Sequence, residues 1–161
     1  MITLSNTLRA SLLATTIAFA GCGMMPMAEK TPMAEKAPMA ASGTASFSAT
    51  LSGAAEVPAV ASPATGSMEA TLDKATNMLR WKLTYSGLSG PATGAHFHGP
   101  AMPGSNAGVV VPFTSATSPI EGQATLTPAQ LADLMAGKWY ANVHTAANPG
   151  GEIRGQVSVG R

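Results

Sequence analysis

The residues of this sequence best suited to metal binding are its histidines. The chain has three of them. His96 and His98 occur in the segment GAHFHGP, and His144 occurs in WYANVHT. Residues two apart on a strand point to the same side, so we expect His96 and His98 on one face and Phe97 in the core. Neutral imidazoles bind copper and zinc, so the three predict a metal site, with copper favoured. The alternative is that they hold loops such as 99–108 by hydrogen bonds.

Polar residues beside these histidines are candidates for supporting a metal site. Tyr140 and Asn142 fall on the predicted strand face of His144, opposite the apolar positions of that strand. Glu152 and Arg154 follow the turn sequence NPGG and share one face of a later strand. Such residues can orient metal ligands. The favoured alternative for Glu152 and Arg154 is a salt bridge between strands.

Glu56 is an acid in an apolar stretch, GAAEVP, and so needs a partner. Arg154 is the candidate partner. No nucleophile motif, phosphate-binding loop or carboxylate pair at a catalytic spacing is found, so no catalytic residue is predicted and the sequence favours a non-enzymatic protein. A net charge of +1 argues against nucleic acid as a partner.

The elements that must position these residues are mostly strands. Period-two alternation of apolar and polar residues recurs in the segments 45–51, 68–72, 79–85, 109–113, 120–126, 139–144 and 153–159. Between 127 and 136, Thr127 and Gln130 have the spacing of a capping box, Pro128 suits the first helical position, and Gly137 ends the predicted helix. We therefore predict an all-β domain, an immunoglobulin-like or Greek-key β-sandwich or barrel, with one short α-helix at about 127–136.

The N-terminal segment has the pattern of an export signal. Arg9 precedes an apolar run at 10–19 that is too short to span a membrane, and FAGC at its end resembles the lipobox of bacterial lipoproteins. We expect residues 1–22 to be a signal peptide and Cys22, the single cysteine, to be lipidated. Plain secretion with a free cysteine is the alternative. The protein is therefore expected to be exported and anchored to a membrane of the cell envelope.

A low-complexity tether follows the predicted anchor. The unit PMAEK occurs twice within residues 23–43, and its prolines prevent a continuous helix. Its methionines can bind Cu(I) in principle, but a solvated repeat is the favoured interpretation. The predicted β domain then occupies residues 44–161.

Three motifs of that domain resemble the CHRD domain, a module named from chordin and also found singly in bacterial exported proteins. They are LSGAAEVP, AHFHGP, and YANVHT running into NPGGEIRGQ, and together they span about 44–159. The resemblance implies an all-β, immunoglobulin-like or barrel-like fold without a settled enzymatic activity. His96-Phe97-His98 also resembles the His-X-His motif of copper/zinc superoxide dismutases. The leading hypothesis is an envelope lipoprotein that binds copper. The main alternative is a structural or interaction module, and a weaker alternative is a dismutase-like copper enzyme.

Overall fold

The computed structural model of the protein describes residues 43–160. The predicted signal peptide, Cys22 and the linker up to residue 42 lie outside the described residues. The elements follow the chain in this order: β1 (Thr44–Ser52), β2 (Thr65–Asp73), β3 (Met78–Ser86), β4 (Ala92–His98), β5 (Val109–Pro112), β6 (Ile120–Thr125), α1 (Pro128–Met135), β7 (Tyr140–Thr145), β8 (Ile153–Gln156) and β9 (Ser158–Val159).

Period-two alternation determines which side of the strands is buried. Ala45, Phe47, Ala49 and Leu51 of β1 are buried, and the residues between them are exposed. The same alternation continues in β2 and through most of β3, because strand side chains point alternately to opposite faces. One face of the sheet therefore forms the core, and the opposite face is left for polar side chains.

The strands form one antiparallel sheet in the order β5-β4-β7-β8-β1-β2-β3-β6, and β9 pairs with β1. The two ends of this sheet pack against each other. Trp81 of β3 makes an edge contact with Phe97 of β4, with ring centroids 5.2 Å apart, and it stacks on Phe113 at 4.9 Å. These contacts curl the sheet around a single core, which confirms the predicted all-β sandwich or barrel.

The one α-helix of the described residues begins and ends as its sequence predicts. The side chain of Thr127 accepts a hydrogen bond from the Gln130 amide, and the Gln130 side chain accepts one from the Thr127 amide. Leu134 is buried, and Gly137 follows the helix with a φ of 68°. In residues 43–160, no helix has the length and apolar character needed to cross a membrane.

Two details differ from the sequence prediction. The last predicted strand is divided at Val157, whose buried side chain and hydrogen bond to the Trp139 carbonyl separate β8 from β9. A 3-10 helix at Gly53–Ala55 follows β1, and the Gly53 carbonyl accepts from the amides of Glu56 and Val60. This turn carries Glu56 back toward the polar face of the sheet.

Candidate metal centre

The pairing of β4 with β7 brings the predicted site residues together. His96 lies opposite Asn142, His98 opposite Tyr140, and Gly94 opposite His144. Ala95 and Phe97 of β4 and Ala141 and Val143 of β7, which alternate with these residues, are fully or almost fully buried in the core. His96 and His98 thus share one face, and the antiparallel register places His144 on the same face.

The three imidazoles form a cluster that can hold a metal ion. One nitrogen from each of His96, His98 and His144 lies within 4.8 Å of the other two. Nδ1 of His96 and Nε2 of His144 are 3.1 Å apart. Two ligands that lie 2.0–2.1 Å from one tetrahedral ion are separated by roughly 3.3 Å, so this pair already has ligand-like spacing. Gly94 leaves room for the cluster, because a Cβ there would lie 3.3 Å from Cε1 of His96.

Backbone carbonyls determine which nitrogens face the centre of the cluster. Nδ1 of His98 donates to the Ala107 carbonyl, and Nδ1 of His144 donates to the Pro149 carbonyl, each at 3.0 Å. Both rings consequently present Nε2 as the nitrogen that carries a lone pair, and that of His144 lies within hydrogen-bond distance of His96 Nδ1. Nε2 of His98 is buried and has no hydrogen-bond partner. A buried lone pair of this kind needs a ligand to offset its desolvation.

The surroundings keep two of the rings in the form that binds metals. Burial lowers the pKa of His96, and the neighbouring His144 and His98 lower it further. Burial also lowers the pKa of His144, and this is the largest effect. The hydrogen bond to Pro149 opposes it, and the neighbouring His98 adds a smaller lowering of the pKa. A lowered histidine pKa favours the neutral imidazole, which is the ligand form.

An aromatic and cationic stack supports His98 from the side. The Tyr140 ring stacks on His98 with centroids 4.8 Å apart and planes 2° from parallel. On the other side of Tyr140, the guanidinium carbon of Arg154 lies 3.4 Å from the ring centroid. The Tyr140 hydroxyl accepts from the Ala107 amide at 3.2 Å. This stack restricts both the His98 ring and the loop that contacts it.

The polar face is covered by the loop 99–108. Arg154 donates to the Asn106 side chain at 2.8 Å and to the Ser105 carbonyl at 2.5 Å. Gln156 donates to the Ala101 carbonyl at 2.9 Å. His98 therefore does hold this loop, as the alternative interpretation of the histidines expected, and it does so through Nδ1 while Nε2 faces the cluster.

Glu152 and Arg154 do not form the salt bridge that the sequence left open. In the described part of the chain the only ion pairs within 4.0 Å are Lys82–Glu121 and Lys138–Asp133. Glu152 precedes β8, is fully buried, and instead accepts hydrogen bonds from the side chains of Ser62, Ser89, Thr145 and Asn148. Burial alone would raise the Glu152 pKa, but these hydrogen bonds lower it to about 2.

Glu56 also lacks the direct partner that was expected. The charge of Arg154 acts on it, but no ion pair between the two is found among residues 43–160. Glu56 is only 7% exposed, and its Oε1 has no hydrogen-bond partner. Burial raises its pKa to about 7, against the opposing effects of Arg154 and the Val57 backbone. Both Glu56 Oε1 and Asn142 Nδ2 lie beside Gly151. A Cβ added to Gly151 would collide with Glu56 Oε1 and would lie 2.9 Å from Asn142 Nδ2.

Sequence reasoning missed several groups that organise the site. The carbonyls of Ala107 and Pro149 carry no side-chain signal, although Pro149 belongs to the turn NPGG that the motif analysis singled out. Ser62 and Ser89 contact Glu152 from 90 and 63 residues away along the chain. Only the long-range pairing of strands could reveal these partners.

Comparison with known proteins identifies one family. A family model described as the CHRD domain matches residues 47–157, which include all three histidines and their supporting residues. The search of curated proteins gave no match, and the search of solved structures gave none either.

Proposed function

This chain belongs to the CHRD domain family, and on that premise we propose that its domain binds a transition-metal ion, copper in preference to zinc, through His96, His98 and His144. The observation that carries the proposal is the buried, unpartnered Nε2 of His98, which has two further imidazole nitrogens within 4.8 Å. Hydrogen bonds to two backbone carbonyls select the required tautomers of His98 and His144.

The donor atoms favour copper over zinc. The cluster supplies three imidazole nitrogens and no carboxylate. Among divalent ions of the first transition row, Cu²⁺ binds such nitrogen sites most tightly, and Zn²⁺ binds them less tightly. The hard cations Mg²⁺ and Ca²⁺ prefer oxygen ligands and do not suit this site.

The proposed place of action is the cell envelope, where a lipid on Cys22 holds the protein at a membrane. This part of the proposal rests on the apolar run and lipobox-like sequence within residues 1–22. A metal ion and the membrane are the proposed partners. Copper handling in the cell envelope is the function that combines the proposed metal site with the proposed anchor. It requires no catalytic residue of the protein.

The test is a titration of the purified protein with Cu(II) and, separately, Zn(II), followed by competition with a chelator. We expect one Cu(II) per chain in the unaltered protein and tighter binding of Cu(II) than of Zn(II). The double variant His96→Ala/His98→Ala should lose this binding. Glu121→Gln is the matched control, because it removes an exposed carboxylate of β6, a strand that pairs with neither β4 nor β7, and leaves the histidines intact. Unchanged uptake by the double variant would overturn the proposal.

A structural role is the second candidate, and one observation favours it. Two of the same histidines, His98 and His144, donate to the Ala107 and Pro149 carbonyls and so hold two loops without any ion. Under this alternative, a triple alanine variant loses the same amount of Tm with and without chelator. Under the metal proposal, chelator lowers the Tm of the copper-loaded unaltered protein and leaves the Tm of the variant unchanged. Superoxide removal by copper-loaded protein, compared with chelated protein, tests the weaker dismutase-like alternative.

A further inference from the structure

Asn142 lies beside the histidine cluster and is almost completely buried, with 2% of its surface exposed. It is paired with His96 in the strand register, and it precedes His144 by two residues on the same face of β7. Its Oδ1 lies 2.9 Å from Nε2 of His144. The amide oxygen therefore points into the same space as the imidazole nitrogens.

The contact between Asn142 and His144 joins two electron-pair donors. His144 donates through Nδ1 to the Pro149 carbonyl, so Nε2 of the neutral ring carries a lone pair and no hydrogen. Asn142 Oδ1 is also an acceptor, and two acceptors 2.9 Å apart repel each other unless a cation lies between them. Two ligands at 2.0–2.1 Å from one ion and at right angles to each other are separated by about 2.9 Å. The observed distance fits two ligands of one metal ion. It is also an ordinary N–H···O distance, but the tautomer that donates to Pro149 has no hydrogen on Nε2 to donate.

Glu56 favours this orientation of the Asn142 amide. Nδ2 of Asn142 and Oε1 of Glu56 lie on the same side of Gly151, and a Cβ added to Gly151 would contact both atoms. Gly151, with a φ of 128°, keeps this space free of a side chain. When Glu56 is a carboxylate, a reversed amide would turn its oxygen toward Oε1 of Glu56, which has no hydrogen-bond partner, and the two acceptors would repel each other.

We infer that Oδ1 of Asn142 is the fourth ligand of the metal ion, and that Glu56 is a positioning residue that directs this oxygen toward the ion. The inference rests on the proposed function and makes it more specific. The donor set becomes three nitrogens and one neutral oxygen. Such a set suits a borderline divalent ion such as Cu²⁺.

The experiment uses the full chain loaded with one equivalent of Cu(II) alone. Asn142→Leu keeps the side-chain volume and removes the oxygen, so we expect at least a tenfold weaker Kd. Because water then fills the fourth position, pulsed electron paramagnetic resonance in D₂O should show a new equatorial deuteron coupling. Asn142→Asp retains the oxygen and should bind Cu(II) at least as tightly as the unaltered protein, without that coupling.

A second pair of variants tests the positioning residue. Glu56→Gln should weaken Cu(II) binding by about tenfold, the lower end of the effect of residues that orient ligands. Glu69→Gln, an exposed acid on β2, is the matched control and should leave the Kd unchanged. The Tm of each metal-free variant shows whether it folds. If Asn142→Leu does not fold, Asn142→Gln displaces the oxygen by about one bond length and must show the same loss of affinity.

Two results overturn the inference in different ways. If Asn142→Leu folds and binds Cu(II) with an unchanged Kd and no new deuteron coupling, Asn142 is not a ligand, but the three-histidine proposal stands. If the unaltered protein binds neither Cu(II) nor Zn(II), both the inference and the proposed function fail.

Discussion

Two glutamates of the same polar region show how strongly residue chemistry depends on surroundings. Glu152 is fully buried and accepts four side-chain hydrogen bonds and one from the Ser89 amide, so its pKa falls to about 2. Glu56 is nearly as buried, but its Oε1 has no hydrogen-bond partner, and burial raises its pKa to about 7. The difference lies in the number of donors, since both carboxylates lose their contact with water.

Glu152→Gln should therefore destabilise the domain in a pH-dependent way. The folded-state pKa is below the ordinary value of 4.5, so the ionised carboxylate contributes stability above about pH 4.5, and this contribution is lost as the pH falls toward 2. At pH 7 we expect a loss of roughly 1.5–3 kcal/mol, the range for hydrogen bonds to a charged group. Thermal melts between pH 7 and pH 2 measure it.

The control for this variant is Glu121→Gln, which changes an exposed glutamate in a surface ion pair with Lys82. Surface ion pairs contribute little, so its Tm should stay close to that of the unaltered protein at every pH. A Glu152→Gln deficit that is equally large at pH 7 and at pH 2.5 would contradict the role given to the Glu152 charge.

At the scale of elements, the site depends on three neighbouring strands and the loop that covers them. Antiparallel pairing aligns His96 of β4, Asn142 of β7 and Arg154 of β8 in one row across the sheet. Arg154 then reaches the loop 99–108 through Ser105 and Asn106. The strands supply the rigid positions, and the loop covers His98, while His96 and His144 stay partly exposed.

Gly155 is the position where this group of strands joins the rest of the sheet. A Cβ at Gly155 would collide with the backbone of Thr50 in β1, at 2.8 Å from its carbonyl carbon. The obstacle is backbone, which cannot move aside as a flexible side chain can. We expect Gly155→Ala to cost roughly 1–3 kcal/mol of unfolding free energy, measured by urea denaturation.

Gly150→Ala is the matched control for this prediction, because nothing lies within 4 Å of a Cβ at Gly150. Its effect should stay within roughly 0.5 kcal/mol. Equal stability of the two alanine variants would show that β8 and β1 are not as closely packed as described.

At the scale of the whole molecule, the described domain is one sheet curled around an apolar core, and the proposed anchor lies in the undescribed N-terminal segment. Trp81, Phe97 and Phe113 join the two ends of the sheet inside this core. The proposed site lies on the opposite face, so binding an ion there does not require the core to open. The site and the anchor can therefore be tested independently.

Cys22→Ser tests the proposed anchor in the full chain, expressed with its N-terminal segment. The proposed acyl chains on Cys22 would bury many methylenes at roughly 0.8 kcal/mol each, so the unaltered protein should partition into detergent and take up labelled palmitate. The serine variant should do neither and should stay in the aqueous phase. Met27→Ser, in the predicted tether, is the control and should behave as the unaltered protein. Aqueous partition of the unaltered protein without label would contradict lipidation.

Most of the fold follows from local patterns. Six of the seven alternating segments coincide with single strands, the seventh is divided at Val157 into β8 and β9, and the capping box of Thr127 and Gln130 begins the helix as predicted. The same local reasoning correctly put His96 and His98 on one face and Phe97 in the core. These features depend on neighbours within a few residues, and such neighbours are visible in a single sequence.

What only the tertiary structure decided is which faces meet. His144 lies 48 residues from His96 along the chain, and their contact depends on the register between β4 and β7. The cover of the loop 99–108, the donors to Glu152 and the isolation of Glu56 likewise come from distant segments. The sequence by itself determined the strands, the helix and the three histidines. Their convergence required strand pairing, because a period-two pattern specifies the side on which a residue lies but not the strand that lies beside it.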